Sequence, residues 1–260
     1  MNLTKDPIWS LLKKVTIPAS TGSLFMTFYN LVDSFFAGKI SPEALAAVAK
    51  SWPITFIALA ISIGIQAGTQ ALISNSIGAK ENKTASLYVA QSIIFAIITS
   101  FFVTSFGLNF SDELLKIMGS TQESIILTRE YLDIIFYGSI IILVQLSLNG
   151  TLSAQGDTKS YRNILIFSFF INIFLNPLFI FGYGIIPGFG IAGLAISTLI
   201  AQSLGVFYLL YKVYCCELKK FLYFKCFIPK LDLLLNILKQ SVPIMFTCLL
   251  YTSDAADDYI

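Results

Sequence analysis

Apolar side chains gather into long unbroken blocks along this chain, and the charged side chains fall in the gaps between them. Crossing a hydrocarbon core of ~30 Å takes about 20 mostly apolar residues in a helix. Six blocks have that length: Val15–Ala37, Pro53–Ile73, Leu87–Phe106, Ile134–Leu152, Ile164–Phe181 and Ile191–Tyr211. A seventh begins near Leu235 and is cut short. The first block is full length and is followed by no small-residue cleavage site, so it reads as a retained span rather than a signal peptide. The pattern predicts an all-α polytopic membrane protein with six transmembrane helices and the start of a seventh.

Composition sharpens this into exclusions. The 260 residues are 56% hydrophobic and 12% charged, with a mean hydropathy of +0.77. A soluble domain carries about 25% charged residues, so a water-soluble enzyme is not expected. The formal charge of +2 is too small to imply a nucleic-acid partner. There is no histidine, which removes His-dependent triads and HExxH zinc sites. The four cysteines, Cys215, Cys216, Cys226 and Cys248, have neither disulfide-framework nor zinc-site spacing. The protein is not expected to be an enzyme or to hold a cofactor.

The cations fall unevenly. Thirteen Lys and Arg lie in the N-terminal segment, the second and fourth connections and the stretch after the sixth span, against four on the opposite side. The cation-rich side is expected to be cytoplasmic, which puts the N-terminus inside a cell (plasma) membrane. Lys13, Lys14 and the basic stretch from Lys212 to Lys230 then read as topology determinants and lipid headgroup contacts. The connection between spans three and four (Asp112, Glu113, Glu123, Glu130, Asp133) is acidic and reads as a solvated outer loop.

A weak repeat links Lys14-Val-Thr16-Ile17-Pro18 to Lys239-Gln-Ser241-Val242-Pro243, 225 residues later. Repeated halves are a common way to build a secondary transporter. The expected organisation is a six-helix lobe over 1–212, a cytoplasmic connection over 213–234 and the start of helix seven over 235–247. From Cys248 the apolar pattern turns into Asp254, Asp257 and Asp258, and carboxylates at mid-span cost ~3 kcal/mol each. CLLYTSDAADD resembles the conceptual translation of a sequencing-library adapter, so 248–260 is expected to be an artefactual tail. Without its three acids the formal charge rises from +2 to +5.

Few polar residues sit inside the spans. Asp33 is the only carboxylate within the six, and an ionisable group at that depth is a functional candidate facing the bundle interior. Asn30, three residues earlier on the same face, is placed to hydrogen-bond to it. Asn172 and Asn176 are i and i+4 on one face of span five, and Pro177 deprives the Ile173 carbonyl of its usual donor. Such an oxygen-rich notch suits a hard cation or a proton-linked carboxylate. It equally suits hydrogen bonding that only holds helices together. Thr198, Ser197 and Gln202 in span six, and Gln66, Thr69 and Gln70 in span two, lie among glycines and read first as packing positions.

These residues together resemble the MATE (multidrug and toxic compound extrusion) transporters. The likeness runs through Ile17-Pro18, Tyr29-Asn30-Leu31-Val32-Asp33-Ser34-Phe35-Phe36-Ala37-Gly38, Leu45-Ala46-Ala47, Gly64-Ile-Gln66-Ala-Gly68 and Ile77-Gly78-Ala79-Lys80. It continues in Gln155-Gly156-Asp157-Thr158-Lys159, Asn172-Ile-Phe-Leu-Asn176-Pro177 and Gly190-Ile-Ala-Gly193-Leu-Ala-Ile-Ser197-Thr198. The resemblance implies one six-helix lobe of a twelve-helix transporter, whose partner is the remaining C-terminal lobe. It implies a cation-coupled antiporter that exports small drug-like, often cationic xenobiotics. Asp33 would be the cation-coupling carboxylate, with Asn172, Asn176 and Thr198 beside it, Pro18 and Pro177 as helix-kink positions, and Tyr29, Asn30 and Gln66 lining the cavity. The family often has Asp where this chain has Asn176. One carboxylate then remains instead of two, which weakens a Na+ site near Asp33, and the coupling ion is left as H+ or Na+. A flippase for lipid-linked saccharide precursors would want cavity cations, and no Lys or Arg lies deep in the six spans. A non-transporting scaffold would have little use for an intramembrane Asp.

Overall fold

The computed structural model describes residues 8–257; the side chains at 8, 10–12, 14, 15 and 251–257 are outside the description. Lys5, the Lys14 side chain, residues 258–260 and the side chains at 251–257 of the expected tail therefore lie outside the described residues, while the backbone of that tail continues α8 as far as Asp257. Eight α-helices make up nearly all of what is described: α1 (Ile8–Ile40), α2 (Pro42–Gly78), α3 (Asn82–Ile117), α4 (Gln122–Tyr137), α5 (Ser139–Ala154), α6 (Lys159–Phe181), α7 (Ile191–Cys215) and α8 (Leu231–Asp257). The 37 residues of α2 and 36 of α3 rise about 55 Å at 1.5 Å per residue, well past a hydrocarbon core. Five helices are long and apolar enough to cross a membrane: α2, α3, α6, α7 and the Leu231–Leu250 part of α8.

Three features differ from the sequence expectation. The fourth span is not one straight helix: α4 and α5 meet at Gly138 with a bend of 48°, and count as one span only together. Kinks collect at glycines, and here Leu199 of α7 presses on the backbone where a Cβ would sit. The acidic connection is not a loop either. Asp112 and Glu113 are in the last turns of α3, while Glu123, Glu130 and Asp133 are in α4, which starts behind a Thr121 cap donated to by the Ser124 N–H. Arg129 explains why the acids tolerate this order: its Nε stands 3.0 Å from Asp133 and 3.5 Å from Asp112, and its Nη1 donates to the Leu108 carbonyl at 2.8 Å. Finally, α1 has the length to span, at 33 residues, but is not among the helices apolar enough by composition. Its Ser, Thr, Asn30 and Asp33 lower its hydropathy, so the one long helix without a sufficiently apolar window among those described is the helix that carries the candidate carboxylate.

Packing fixes which faces meet. The rings of Phe25 and Phe169 lie 5.5 Å apart, and Asp33 meets Asn176 further along, so α1 and α6 run parallel. Parallel direction is what two odd-numbered spans of an alternating bundle must have. Large side chains such as Phe101, Phe102, Phe174 and Phe207 stand exposed on the outside, as lipid contact allows. On α2, Gly64 and Gly68 make room for Ser241 and Met245 of α8.

The connection from α7 to α8 consists of two short 3-10 turns, Glu217–Phe221 and Phe224–Phe227. It is strapped to α3. Fully buried Gln91 donates through Nε2 to the carbonyls of Cys226 (2.8 Å) and Ile228 (2.7 Å), and its Oε1 accepts from the Lys230 N–H at 2.9 Å. Ser86 Oγ adds a bond to the Leu218 carbonyl at 2.9 Å. One amide therefore satisfies three backbone groups that would otherwise be left without partners. Replacing Gln91→Ala should release the connection at a cost of ~1–3 kcal/mol. Trypsin cleavage at exposed Lys219, Lys220, Lys225 and Lys230 should accelerate about tenfold or more, read as the rate of nicking on a gel. An unchanged rate would mean the strap holds nothing.

Candidate functional site

Two local devices bring the polar residues of α6 and α7 together. Gly182 ends α6 with φ 79°, a left-handed conformation that glycine adopts freely. The chain then returns so that the N–H groups of Phe189 and Gly190 bond to the carbonyls of Phe179 (2.8 Å) and Ile180 (3.1 Å). These are carbonyls of the last turn of α6, which a helix cannot satisfy by itself. Gly193, on the first turn of α7, lies against the Phe179 carbonyl with no room for a Cβ. The close approach places Asn176 beside Ser197 and Thr198.

Asp33 enters this cluster from α1. It is only 8% exposed, so it is a buried carboxylate and not one solvated at the end of its helix. Its Oδ1 accepts from Asn176 Nδ2 at 2.9 Å, and its Oδ2 accepts from Thr198 Oγ1 at 3.3 Å. Behind it, Asn176 Nδ2 also donates to Asn172 Oδ1 at 2.8 Å, and Asn172 Nδ2 reaches back to Asn176 Oδ1 at 3.4 Å. Ser197 Oγ donates to the same Asn176 oxygen. Both asparagines and Ser197 are wholly buried. A buried carboxylate is costly unless donors surround it, and bonds to a charged group are worth about 1.5–3 kcal/mol each.

Beside the carboxylate is a cavity of about 200 Å³ bounded by α1, α2, α4, α5, α6 and α7. Tyr29, Asn30, Trp52, Phe56, Tyr131, Phe136, Gln145, Tyr161, Ser168 and Gln202 are on its walls, with Asp33 and Thr198 at one side. Asp33 is the one charged side chain among the lining residues. Ser168 Oγ and Gln202 Oε1 are buried there and have no hydrogen-bond partner in the protein.

The structure thus gathers Asp33, Asn172, Asn176 and Thr198 into one hydrogen-bonded cluster and sets Tyr29 and Asn30 on the cavity wall. The donors to Asp33 are Asn176 and Thr198, while Asn30 stands along the cavity. Gln66 is elsewhere: it is not among the lining residues, and its backbone carbonyl packs on Gly150 of α5. Pro177 follows Asn176 within α6. Pro18 lies inside α1 about 22 Å along the helix from Asp33, far from the cluster. Neither proline interrupts its helix. Tyr131 and Gln145 are cavity residues that sequence reasoning missed. Tyr131 was hidden in the stretch read as a loop; Gln145 had a signal, being an amide in the middle of an apolar block.

Comparison with known proteins agrees with this geometry. The MatE family model matches residues 18–178. A FAD transporter of Shewanella oneidensis is 29% identical over 214 residues, 81% of this chain and 47% of that protein. The probable multidrug resistance protein YoeA of Bacillus subtilis is 27% identical, over 76% of this chain and 43% of its own length. A solved multidrug resistance MATE family transporter of the MOP superfamily, in an outward-facing conformation, superposes with a TM-score of 0.81 at 28% identity, covering 92% of this chain and 52% of that one. The chain spans about half the length of the curated relatives it matches. With its fold, its helix order and most of its length matched in this way, the chain belongs to the MatE family.

Proposed function

We propose that this lobe is the cation-coupling half of a secondary transporter that exports small organic molecules, neutral or cationic, from the cytoplasm across the cell membrane. The observation that carries the reading is Asp33: a buried carboxylate, held by Asn176 and Thr198, at the wall of an aromatic cavity. Aromatic faces attract organic cations, and a carboxylate adds opposite charge. The partnerless Ser168 Oγ and Gln202 Oε1 offer polar contacts to a bound molecule. The basic N-terminal and linker residues support a cytoplasmic N-terminus.

Relatives carry names for both multidrug resistance and FAD transport. A diphosphate such as that of FAD needs cationic or N–H partners, and the cavity of this lobe is lined by no Lys or Arg. The same point weighs against a lipid-linked saccharide phosphate. The lining therefore favours neutral and cationic substrates.

In the mechanism proposed, a substrate enters from the inside or the inner leaflet, and a proton or Na+ from outside binds at Asp33. Neutralising the carboxylate removes the cost of keeping a charge out of water, so α1 repacks against α6 and α7 and the molecule leaves outward. No covalent chemistry is required of the protein. In the complete transporter carrying this chain, Asp33→Asn should abolish ethidium efflux from loaded cells while membrane expression stays normal. Efflux at the wild-type rate by that variant would sink the assignment. Thr198→Val, which removes one of the two donors to the carboxylate, should lower efflux about tenfold without abolishing it.

A further inference from the structure

The orientation of one amide carries a consequence for which ion can couple, on the reading that Asp33 is the coupling group. An ionised carboxylate only accepts hydrogen bonds, so the Asn176 atom 2.9 Å from Asp33 Oδ1 has to be the nitrogen. The Asn176 oxygen is then turned away from Asp33. It is held there by Ser197 Oγ and by Asn172 Nδ2. The Ser197 hydroxyl also stands 2.8 Å from the Leu194 carbonyl, so it is shared between that oxygen and the Asn176 oxygen. The second N–H of Asn176 occupies Asn172 Oδ1. Both amides therefore have their oxygens engaged, and Asn176 shows the carboxylate an N–H.

A hard cation such as Na+ needs several oxygens around it, and an N–H in the same place repels it. Next to Asp33 the oxygens that face the site are its own two and Thr198 Oγ1, with the buried Tyr29 hydroxyl on the same cavity wall. The other titratable groups around the carboxylate are the phenols Tyr29 of α1, Tyr131 of α4 and Tyr161 of α6, and the cavity supplies no second carboxylate. A proton needs one carboxylate oxygen and nothing more. We propose that Ser197 is a positioning residue which, by pinning Asn176 with its N–H toward Asp33, makes this site couple to protons and not to Na+. Asn176 is the specificity-determining side chain, and Ser197 acts through it.

The test uses the complete transporter carrying this chain, reconstituted in lipid vesicles loaded with ethidium. Its wild-type arm depends on no substitution. A pH gradient should drive transport equally in NaCl and in choline chloride, and an inward Na+ gradient at equal pH should drive none. Asn176→Asp puts an oxygen where the N–H was and should gain about tenfold stimulation by Na+. Ser197→Ala frees the amide to turn over; it should weaken proton-driven transport about tenfold and admit a Na+ response, and Ser197→Thr should restore the wild-type pattern. Wild-type transport driven by Na+ at equal pH would overturn the proposal while leaving cation-coupled export standing. An Asp33→Asn protein with undiminished transport would instead remove the reading beneath it. A Ser197→Ala protein whose proton-to-Na+ preference equals that of wild type would strip Ser197 of the role.

Discussion

A carboxylate inside a helical bundle is the constraint on which the rest of this lobe depends. Placing Asp33 at membrane depth costs ~3 kcal/mol or more, and the fold offsets it with donors drawn from two other helices. Those donors are available only because α6 and α7 approach closely, which in turn needs Gly193 against a backbone carbonyl and a return loop that satisfies the end of α6. The direction of α1 follows as well, since its register on α6 is set at one level by Phe25 on Phe169 and at another by Asp33 on Asn176. A polar contact and an aromatic one, some two turns apart, thus hold a whole helix in rotation and in height.

The same arrangement keeps two environments apart. The cavity side of Asp33 is aromatic and sized for a small molecule, whereas the opposite side is a buried, hydrogen-bonded amide cluster. A change in charge at Asp33 is therefore felt on both sides at once: by whatever occupies the cavity, and by the interface of α1 with α6 and α7. Under the proposed function this would be the physical content of coupling, a single group whose protonation or ion binding has different contact energies in two arrangements of the bundle.

Much of this was legible in the residues, for reasons that also explain what was not. Span positions follow from hydropathy because lipid tolerates nothing else, and the apolar blocks coincide with α2, α3, α6 and α7. Asp33, Asn172 and Asn176 stood out because polar side chains are rare in such blocks, and face-sharing at i and i+4 is a property of any helix. The bend at Gly138 could not be read, since the Leu199 side chain that fills the space beside this glycine comes from sixty residues away. The acids of α3 and α4 looked like a loop because charge was taken as a sign of solvent; Arg129 bridging two of them is a tertiary fact. Gln66 looked equivalent to the other polar residues by sequence, and only the rotation of α2 takes it out of the cavity. Ser197 was visible as a polar residue, but its importance lies in which atom of Asn176 it touches, and no spacing rule contains that.

The hydrogen bonds on α3 fasten the chain beyond α7 to the bundle. Gln91 and Ser86 tie the connection after α7 to α3, so residues 218–230 are held against the helical bundle. Asn236 of α8 reaches Tyr88 of α3 at 3.3 Å, which extends the attachment into the first turns of α8. Beyond that point α8 packs on α2 at Gly64 and Gly68, where Ser241, Gln240 and Met245 fill the space a Cβ would take. The cavity residues Trp52, Thr55, Phe56 and Leu59 sit on α2 within a few turns of Gly64. The α2–α8 seam therefore lies on the same helix as one wall of the cavity that Asp33 lines.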